Sequence, residues 1–332
     1  MKIGIIGVGR IGLQHARVVQ AQEAVDELVL ADMDSARAEE AAKELGGSFM
    51  SVDDIFHKVD GVVIATPTFT HADLLVKAAA AHVPTFCEKP VALDIPTTKY
   101  VIDEVRASGT PIQIGFQRRF DAGYVAAREA LQSGKLGELR RAHMLTCDPV
   151  PPHAEFIPGS GGLFKDCAIH DVDALRWISG KEIIEVFAYG VPRGAEFFAE
   201  YDDVSEAVAT LRLTDGTLAT LQVSRYNGQG YDVRMEIAGT KGTYAVGLDE
   251  HSALVSAEPG VTFPEGEPHP AFYPRFVKAY DAELAAFVKV AAGEMDSPAL
   301  VDDALEALYV CEALGISRRT GRPVKVSEVK AP

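Results

Sequence analysis

The chain has 332 residues, of which 47% are hydrophobic and 24% charged, as in ordinary globular proteins, and its length suggests two domains. Its formal net charge of −16 repels phosphate backbones, which argues against nucleic-acid binding and favours a neutral substrate. No apolar run reaches the ~20 residues that a membrane helix needs, and the sequence shows no signal-peptide pattern and no internal repeat.

Strand-like and helix-like segments alternate through the first third of the chain. The predicted strands are 2–7, 27–32, 61–66, 83–88 and 111–116. The predicted helices are 11–22, 35–47, 71–82 and 97–109. Strands separated by helices of about a dozen residues are typical of a doubly wound parallel sheet, so we predict a Rossmann-type α/β domain over residues 1–120.

The pattern changes after residue 120. Helices are predicted at 122–132 and 163–179, and a strand at 138–145. Two hairpins follow, with turns at Asp215-Gly216 and at 240–242. We therefore predict a second α+β domain, residues 121–332, with an open, largely antiparallel sheet. Its two closing helices, within about 275–319, can pack back on the first domain.

The segment GVGRIG, residues 7–12, follows the first strand and opens the first helix. Gly7 permits a tight turn, Gly9 lets the backbone approach a pyrophosphate, and Gly12 lets helix and strand pack closely. Asp32 ends the second strand 20 residues after Gly12, where an acid binds the adenosine ribose and repels a 2′-phosphate. The motif therefore predicts NAD rather than NADP, although glycine turns also occur for structural reasons alone.

Further cofactor contacts are expected where strands end at the carboxyl edge of the sheet. The third strand ends at Thr66 and Pro67, and His71 opens the next helix. His71 can contact the cofactor, or it can be a capping or surface histidine. The predicted cofactor-binding residues are Gly7, Gly9, Arg10, Ile11, Gly12, Asp32, Met33, Thr66, Pro67, His71, Glu88 and Lys89.

The segment TFCEKPVAL, residues 85–93, places two charges where a buried strand ends. Charged residues are rarely buried without partners. By topology Lys89 lies at the binding edge, and Pro90 fixes the following turn. The alternative is a surface ion pair in a loop. Glu88 can contact the nicotinamide ribose or pair with a nearby cation.

A second group of polar residues interrupts the apolar helix predicted at 163–179. Asp166, His170 and Asp173 are spaced to lie along one face of that helix. They can form a catalytic group, a satisfied core network, or part of a zinc site. No further cysteine or histidine clearly completes a zinc site, and the four cysteines (Cys87, Cys147, Cys167, Cys311) form no CxxC pair, so no metal is predicted and a reducing cytoplasm is expected.

NAD chemistry on an alcohol needs a base for the hydroxyl proton. His170 is the natural base, with an unperturbed pKa of ~6.5. Asp166, one turn earlier, can orient its ring. Lys89 can hydrogen-bond the reacting oxygen and stabilise alkoxide charge, or, as the second choice, join a proton relay.

Three segments, GVGRIG, the EKP of 88–90 and GGLFKDCAIHDVD of 161–173, resemble the glucose–fructose oxidoreductase / inositol dehydrogenase / rhizopine catabolism (Gfo/Idh/MocA) family over essentially the whole chain. The resemblance implies a Rossmann domain followed by an open-sheet domain that often mediates dimer or tetramer contacts. It also implies that Lys89 is the catalytic lysine and that Asp166 and His170 are its D-x-x-x-H pair. We expect a homo-oligomer, a dimer or tetramer.

Within that family GFQRRFD, residues 115–121, is similar to inositol 2-dehydrogenases, although Gln117 departs from the usual Asn or Met. The resemblance predicts NAD-dependent oxidation of a cyclic polyol, most simply myo- or scyllo-inositol. An aldose or anhydrosugar dehydrogenase is the enzyme alternative, and an NAD(P)-binding sugar sensor the non-enzyme one. The predicted substrate-binding residues are Lys89, Arg118, Asp148, His153, Asp166, His170, Asp173 and Tyr231. Arg118 can instead contact the edge of the cofactor, and Asp148, His153, Asp173 and Tyr231 can instead be ordinary loop or hairpin residues.

Overall fold

The computed structural model describes residues 1–331. The chain divides into two compact units, and each unit is built from two separate stretches of chain. The first unit comprises Met1–Gln117 and Lys278–Glu306. The second comprises Arg118–Val277 and the stretch from Ala307 onward.

Strands and helices alternate first and then separate into strand-rich and helical stretches. The strands are β1 (Lys2–Ile6), β2 (Glu27–Ala31), β3 (Ser48–Phe49), β4 (Gly61–Ile64), β5 (Thr85–Glu88), β6 (Ile112–Gly115), β7 (Leu139–Cys147), β8 (Ile183–Val191), β9 (Glu206–Leu213), β10 (Leu218–Ser224), β11 (Asp232–Gly239), β12 (Thr243–Val246) and β13 (Val324–Lys325). The helices are α1 (Arg10–Gln20), α2 (Ser35–Leu45), α3 (His71–Ala80), α4 (Ile95–Ser108), α5 (Ala122–Gln132), α6 (Ile157–Ser160), α7 (Ile169–Ser179), α8 (Phe197–Glu200), α9 (Phe272–Ala291), α10 (Val301–Thr320) and α11 (Val326–Lys330).

The first unit contains a six-stranded sheet in the order β3-β2-β1-β4-β5-β6, with every pair parallel. Its strands are apolar on both faces because helices cover both sides, and Ile3, Ile5, Leu30, Val63 and Phe86 are buried. The predicted doubly wound parallel sheet is confirmed. Strand order reverses between β1 and β4, which is where such sheets bind ligands.

The second unit contains a seven-stranded sheet in the order β12-β11-β7-β10-β9-β8-β13. The two predicted hairpins are confirmed, since β9 pairs with β10 and β11 with β12 in antiparallel register. One pair, β7 with β10, is parallel. Parallel pairing between strands this far apart in sequence could not be predicted, because it does not alter the hydrophobic pattern of either strand. This mixed, mostly antiparallel sheet confirms the predicted α/β class.

One face of the second sheet is left open. In β9 buried and exposed residues alternate along the strand, as expected when one side packs and the other does not. No helix within residues 1–331 is both long enough and apolar enough to cross a membrane.

Candidate active site

The glycine turn after β1 is shaped by steric limits that only glycine meets. Gly7 adopts φ +92°, and a Cβ there would lie 2.7 Å from the Ala65 carbonyl oxygen. A Cβ on Gly12 would lie 1.8 Å from the Gly7 carbonyl oxygen, so α1 could not pack as it does. Gly9 instead faces open space, since no described residue beyond its chain neighbours lies within 4 Å of its Cβ position. The turn thus leaves the N-terminus of α1 open to an anionic ligand.

Asp32 is anchored to this turn. Its Oδ2 accepts a hydrogen bond from the Val8 N–H at 2.9 Å, and its Oδ1 accepts one from the Asp34 N–H at 2.9 Å. Burial raises the pKa of Asp32, but these bonds and Arg37 outweigh that effect and lower it overall. The carboxylate is therefore ionised and oriented, as a ribose-binding acid must be.

Arg37 brings a positive charge close to Asp32. Its side chain is half-exposed, yet its Nη2 lies 2.6 Å from Asp32 Oδ1. Met33, beside Asp32, is 90% exposed and contributes no charge. A cation thus stands next to the acid that is predicted to set the choice between NAD and NADP.

His71 joins the ends of two strands. Its Nδ1 lies 2.8 Å from the Pro90 carbonyl oxygen and its Nε2 lies 2.9 Å from that of Thr66. The ring is buried, and burial lowers its pKa. His71 is therefore not a surface histidine. It fixes the turn after Lys89 to the end of β4, while the Thr66 hydroxyl pairs with that of Thr70 at 2.6 Å.

Glu88 has a partner that the sequence analysis missed. Its Oε1 lies 2.6 Å from Nε2 of His15, which is fully buried on α1. The available signal was a histidine among the small, apolar residues on the buried face of that helix, next to Ala16 and Val19. Glu88 thus holds the end of β5 against α1. Lys89, half-buried, follows directly, and the Lys89–Pro90 peptide bond is cis.

The helix predicted over 163–179 is confirmed, but its first part is wound as a π-helix. Phe164–Ala168 form a π-helical turn, and α7 begins at Ile169. Such turns are rare and occur frequently at functional sites. The turn contains Asp166, and His170 is the second residue of α7. Both side chains are half-buried.

Two arginines after β6 form buried ion pairs with α7. Arg118 donates to Asp171 and to the Thr146 hydroxyl, the latter at 2.7 Å, and it is 1% exposed. Arg119 binds Asp173 through two hydrogen bonds, of 3.0 and 2.6 Å. Arg118 and Asp173 were both predicted to bind substrate. In the structure both lie in the interior, where each charge is paired with an opposite one.

A third buried arginine, Arg225, lies among the other candidate residues. It donates to Asp148 at 3.0 Å and to Asp166 at 2.8 Å. Both acids were predicted site residues, whereas the arginine that joins them was not predicted from the sequence. Tyr231 is buried, which raises its pKa well above its ordinary value, whereas His153 is exposed at the start of a short 3₁₀ turn.

No group of three or more His, Cys, Asp or Glu side chains within residues 1–331 is arranged to hold a metal ion. The glycine turn, the ionised Asp32 and the parallel sheet instead define a dinucleotide-binding domain of the kind found in nicotinamide-dependent oxidoreductases.

Comparison with known proteins gives the family. Residues 1–116 match the model of an oxidoreductase family with an NAD-binding Rossmann fold, and residues 124–245 match the GFO/IDH/MocA C-terminal domain. The chain belongs to the GFO/IDH/MocA family, and the resemblance noted in the sequence is confirmed.

Several relatives match along their whole length. The chain is 34% identical to a scyllo-inositol 2-dehydrogenase (NAD(+)) of Bacillus subtilis (strain 168), covering 100% of this chain and 98% of the relative. It is 33% identical to a myo-inositol 2-dehydrogenase of Thermotoga maritima, covering 99% of each. A crystal structure of scyllo-inositol dehydrogenase from Lactobacillus casei with bound NAD(H) and scyllo-inositol aligns with TM-score 0.89 and 30% identity, covering 98% of this chain and 99% of that one.

Proposed function

We propose that the protein oxidises a secondary hydroxyl of an inositol to the keto-inositol, with NAD as the hydride acceptor and His170 as the base. The observation that carries the proposal is the anchored Asp32 beside the open glycine turn, in a chain that matches inositol 2-dehydrogenases end to end. The net charge of −16 agrees with an uncharged polyol.

Each of the candidate residues would have its own role in the reaction. NAD, when bound, supplies the nicotinamide that accepts the hydride. His170 takes the hydroxyl proton, and Asp166 orients its ring and stabilises the imidazolium. Lys89 hydrogen-bonds the reacting oxygen and stabilises alkoxide charge as the proton leaves. Asp148 and Tyr231 bind neighbouring hydroxyls of the ring.

A substrate panel tests this proposal. Purified protein with NAD would be given myo- and scyllo-inositol, glucose, xylose and an anhydrosugar, and NADH formation would be followed by absorbance. We expect the highest kcat/KM for an inositol. A higher value for an aldose or anhydrosugar would replace the proposed substrate, whereas tight NAD binding without turnover of any member would indicate a sensor.

The Asp32→Ser variant tests the choice of cofactor. Serine removes the charge that repels a 2′-phosphate and leaves Arg37, now 2.6 Å from Asp32, to bind that phosphate. We expect the ratio of kcat/KM for NADP to that for NAD to rise at least about tenfold, equivalent to ~1.4 kcal/mol.

Glu40→Gln is the matched control, because Glu40 is an exposed acid on α2 and its loss changes the net charge equally. Wild-type protein that uses NADP as well as NAD would show that Asp32 does not discriminate.

We further propose that residues 1–120 bind NAD and that residues 121–332 bind the substrate and form a homo-oligomer in the cytoplasm. The four free, buried cysteines suit a reducing compartment. The open sheet face supports oligomerisation. Tyr189 and Val208 are direct cross-strand partners on it, 63% and 52% exposed, and Leu218 on the next strand is 61% exposed. Large exposed apolar side chains grouped on one face mark an interface.

The Val208→Lys variant tests that interface. A charge at the centre of an apolar contact should shift the molar mass, measured by light scattering after gel filtration, from oligomer to monomer. Val255→Lys is the control, since Val255 is also exposed, at 67%, but lies outside the sheet. An unchanged mass in the Val208 variant would remove this face as the contact.

A further inference from the structure

Arg225 contacts three side chains, and two of them, Asp148 and Asp166, are candidate substrate-binding residues. Its Nη1 donates to Asp148 Oδ2 at 3.0 Å and to the Cys167 sulfur at 2.9 Å. Its Nη2 donates to Asp166 Oδ2 at 2.8 Å. One guanidinium thus holds two carboxylates, one in the loop after β7 and the other in the π-helical turn.

The backbone fixes this arrangement. In the parallel pair of β7 with β10, Ser224 stands opposite Cys147, so the next residues, Arg225 and Asp148, leave the two strands side by side. The Asp148 N–H donates to the Ser224 carbonyl at 2.9 Å, which extends the pairing by one residue. The Arg225 N–H donates to the carbonyl of Ser205 at 2.8 Å. Arg225 is therefore held at both its main chain and its side chain.

Burial separates the roles of the three charged groups. The Arg225 side chain is 3% exposed, whereas those of Asp148 and Asp166 are 24% and 18% exposed. The two carboxylates can therefore contact a ligand, whereas the guanidinium is too deeply buried to do so. Within residues 1–331, Nε of Arg225 has no hydrogen-bond partner, so the guanidinium is held through its two Nη atoms.

We propose that Arg225 is a positioning residue for the dehydrogenase reaction, which holds Asp148 and Asp166 ionised and in a fixed orientation toward the substrate and His170. This assignment rests on the proposed function. Two carboxylates on one site repel each other, and a single shared cation removes that repulsion. Burial raises the pKa of Asp148, and Arg225 acts against that rise. Without Arg225 one of the two acids would hold a proton and could no longer act as a pure acceptor.

The test compares Arg225→Met, which keeps the side-chain bulk and removes the charge, with Arg225→Lys, which keeps the charge but not the two-armed geometry. We expect Arg225→Met to lower kcat by about 10- to 100-fold, by analogy with the loss of groups that orient metal-binding residues. Arg225→Lys should recover part of this activity, and NAD affinity should stay unchanged. Arg322→Met is the control, because Arg322 is a half-exposed arginine of the same unit that lies outside the sheet.

Two further measurements separate positioning from folding. Millimolar guanidinium, and not the same concentration of sodium, should raise kcat of Arg225→Met. In the Asp166→Asn variant, adding Arg225→Met should lower kcat by a smaller factor than it does in the wild type, because the two residues act through one contact. A lower melting temperature with unchanged kcat per folded molecule would overturn the assignment, as would full additivity of the two substitutions.

If the wild-type protein oxidises no member of the polyol panel, the proposed function fails and Arg225 is judged by titration instead. In protein labelled with ¹³C at aspartate carboxyl carbons, Arg225→Met should move the Asp148 titration to higher pH. The charged or ionisable neighbours that act on it are Asp166, Arg225 and Cys167, with Tyr231 close by, and none of them is altered in the Arg322→Met control. An unmoved titration would show that Arg225 does not set the charge of this group.

Discussion

Replacement of Lys89 by alanine should lower kcat for inositol oxidation by about 100- to 10,000-fold, the range for loss of a positioned proton donor or oxyanion stabiliser. Lys89 directly follows β5 at the carboxyl edge of the parallel sheet, where ligands bind in this fold. Its backbone is fixed on both sides, by the Glu88–His15 contact and by the His71 bond to the Pro90 carbonyl. The NAD dissociation constant, measured by fluorescence titration, should change less than about threefold, because the lost interaction is with the reacting oxygen.

Lys58→Ala is the matched control for Lys89, since Lys58 is an exposed lysine of the same unit. Its kcat and NAD affinity should equal those of wild type. If Lys89→Ala retains wild-type kcat with the true substrate, Lys89 has no catalytic role. If it loses NAD affinity instead, its role lies in cofactor binding.

The fold could be predicted well from the sequence because local sequence patterns determine most of its elements. The glycine spacing, the strand–helix alternation and the hairpin turns each involve residues close in sequence, and the sheets that result match those patterns. The glycine stop of α2 at Gly46, with φ +68°, is one such local signal. Family membership followed from the same short segments.

The partners of the charged residues could not be predicted in this way. His15 and Glu88 are 73 residues apart, and Arg225 and Asp148 are 77 apart. Each pair is made by tertiary packing, so the sequence showed charges that needed partners without showing which partners they had. The family resemblance suggested Arg118 as a ligand contact, and Asp173 was predicted to hydrogen-bond substrate hydroxyls, whereas the structure gives each an internal ion pair.

Replacement of Asp171 by asparagine should lower the free energy of unfolding by about 3–5 kcal/mol, as expected when one member of a buried ion pair is removed. Asp171 is fully buried and accepts hydrogen bonds from both Arg118 and the Thr146 hydroxyl, the latter at 2.8 Å. Burial raises the pKa of Asp171, and the Arg118 guanidinium opposes that effect. Asparagine would leave the buried Arg118 guanidinium without a counter-charge. Urea denaturation of the variant and the wild type would measure the loss in the free energy of unfolding.

A surface pair gives the matched control for Asp171. Glu138 and Arg140 lie 3.0 Å apart, but their side chains are 79% and 62% exposed, so Glu138→Gln should cost less than about 1 kcal/mol. The double variant Arg118→Met/Asp171→Leu should recover most of the stability lost in Asp171→Asn, because it removes the orphaned charge together with its partner. Recovery would mean that the penalty comes from an unpaired buried charge. A double variant as unstable as Asp171→Asn would mean that the pair itself, and the bond from Thr146, stabilises the second unit.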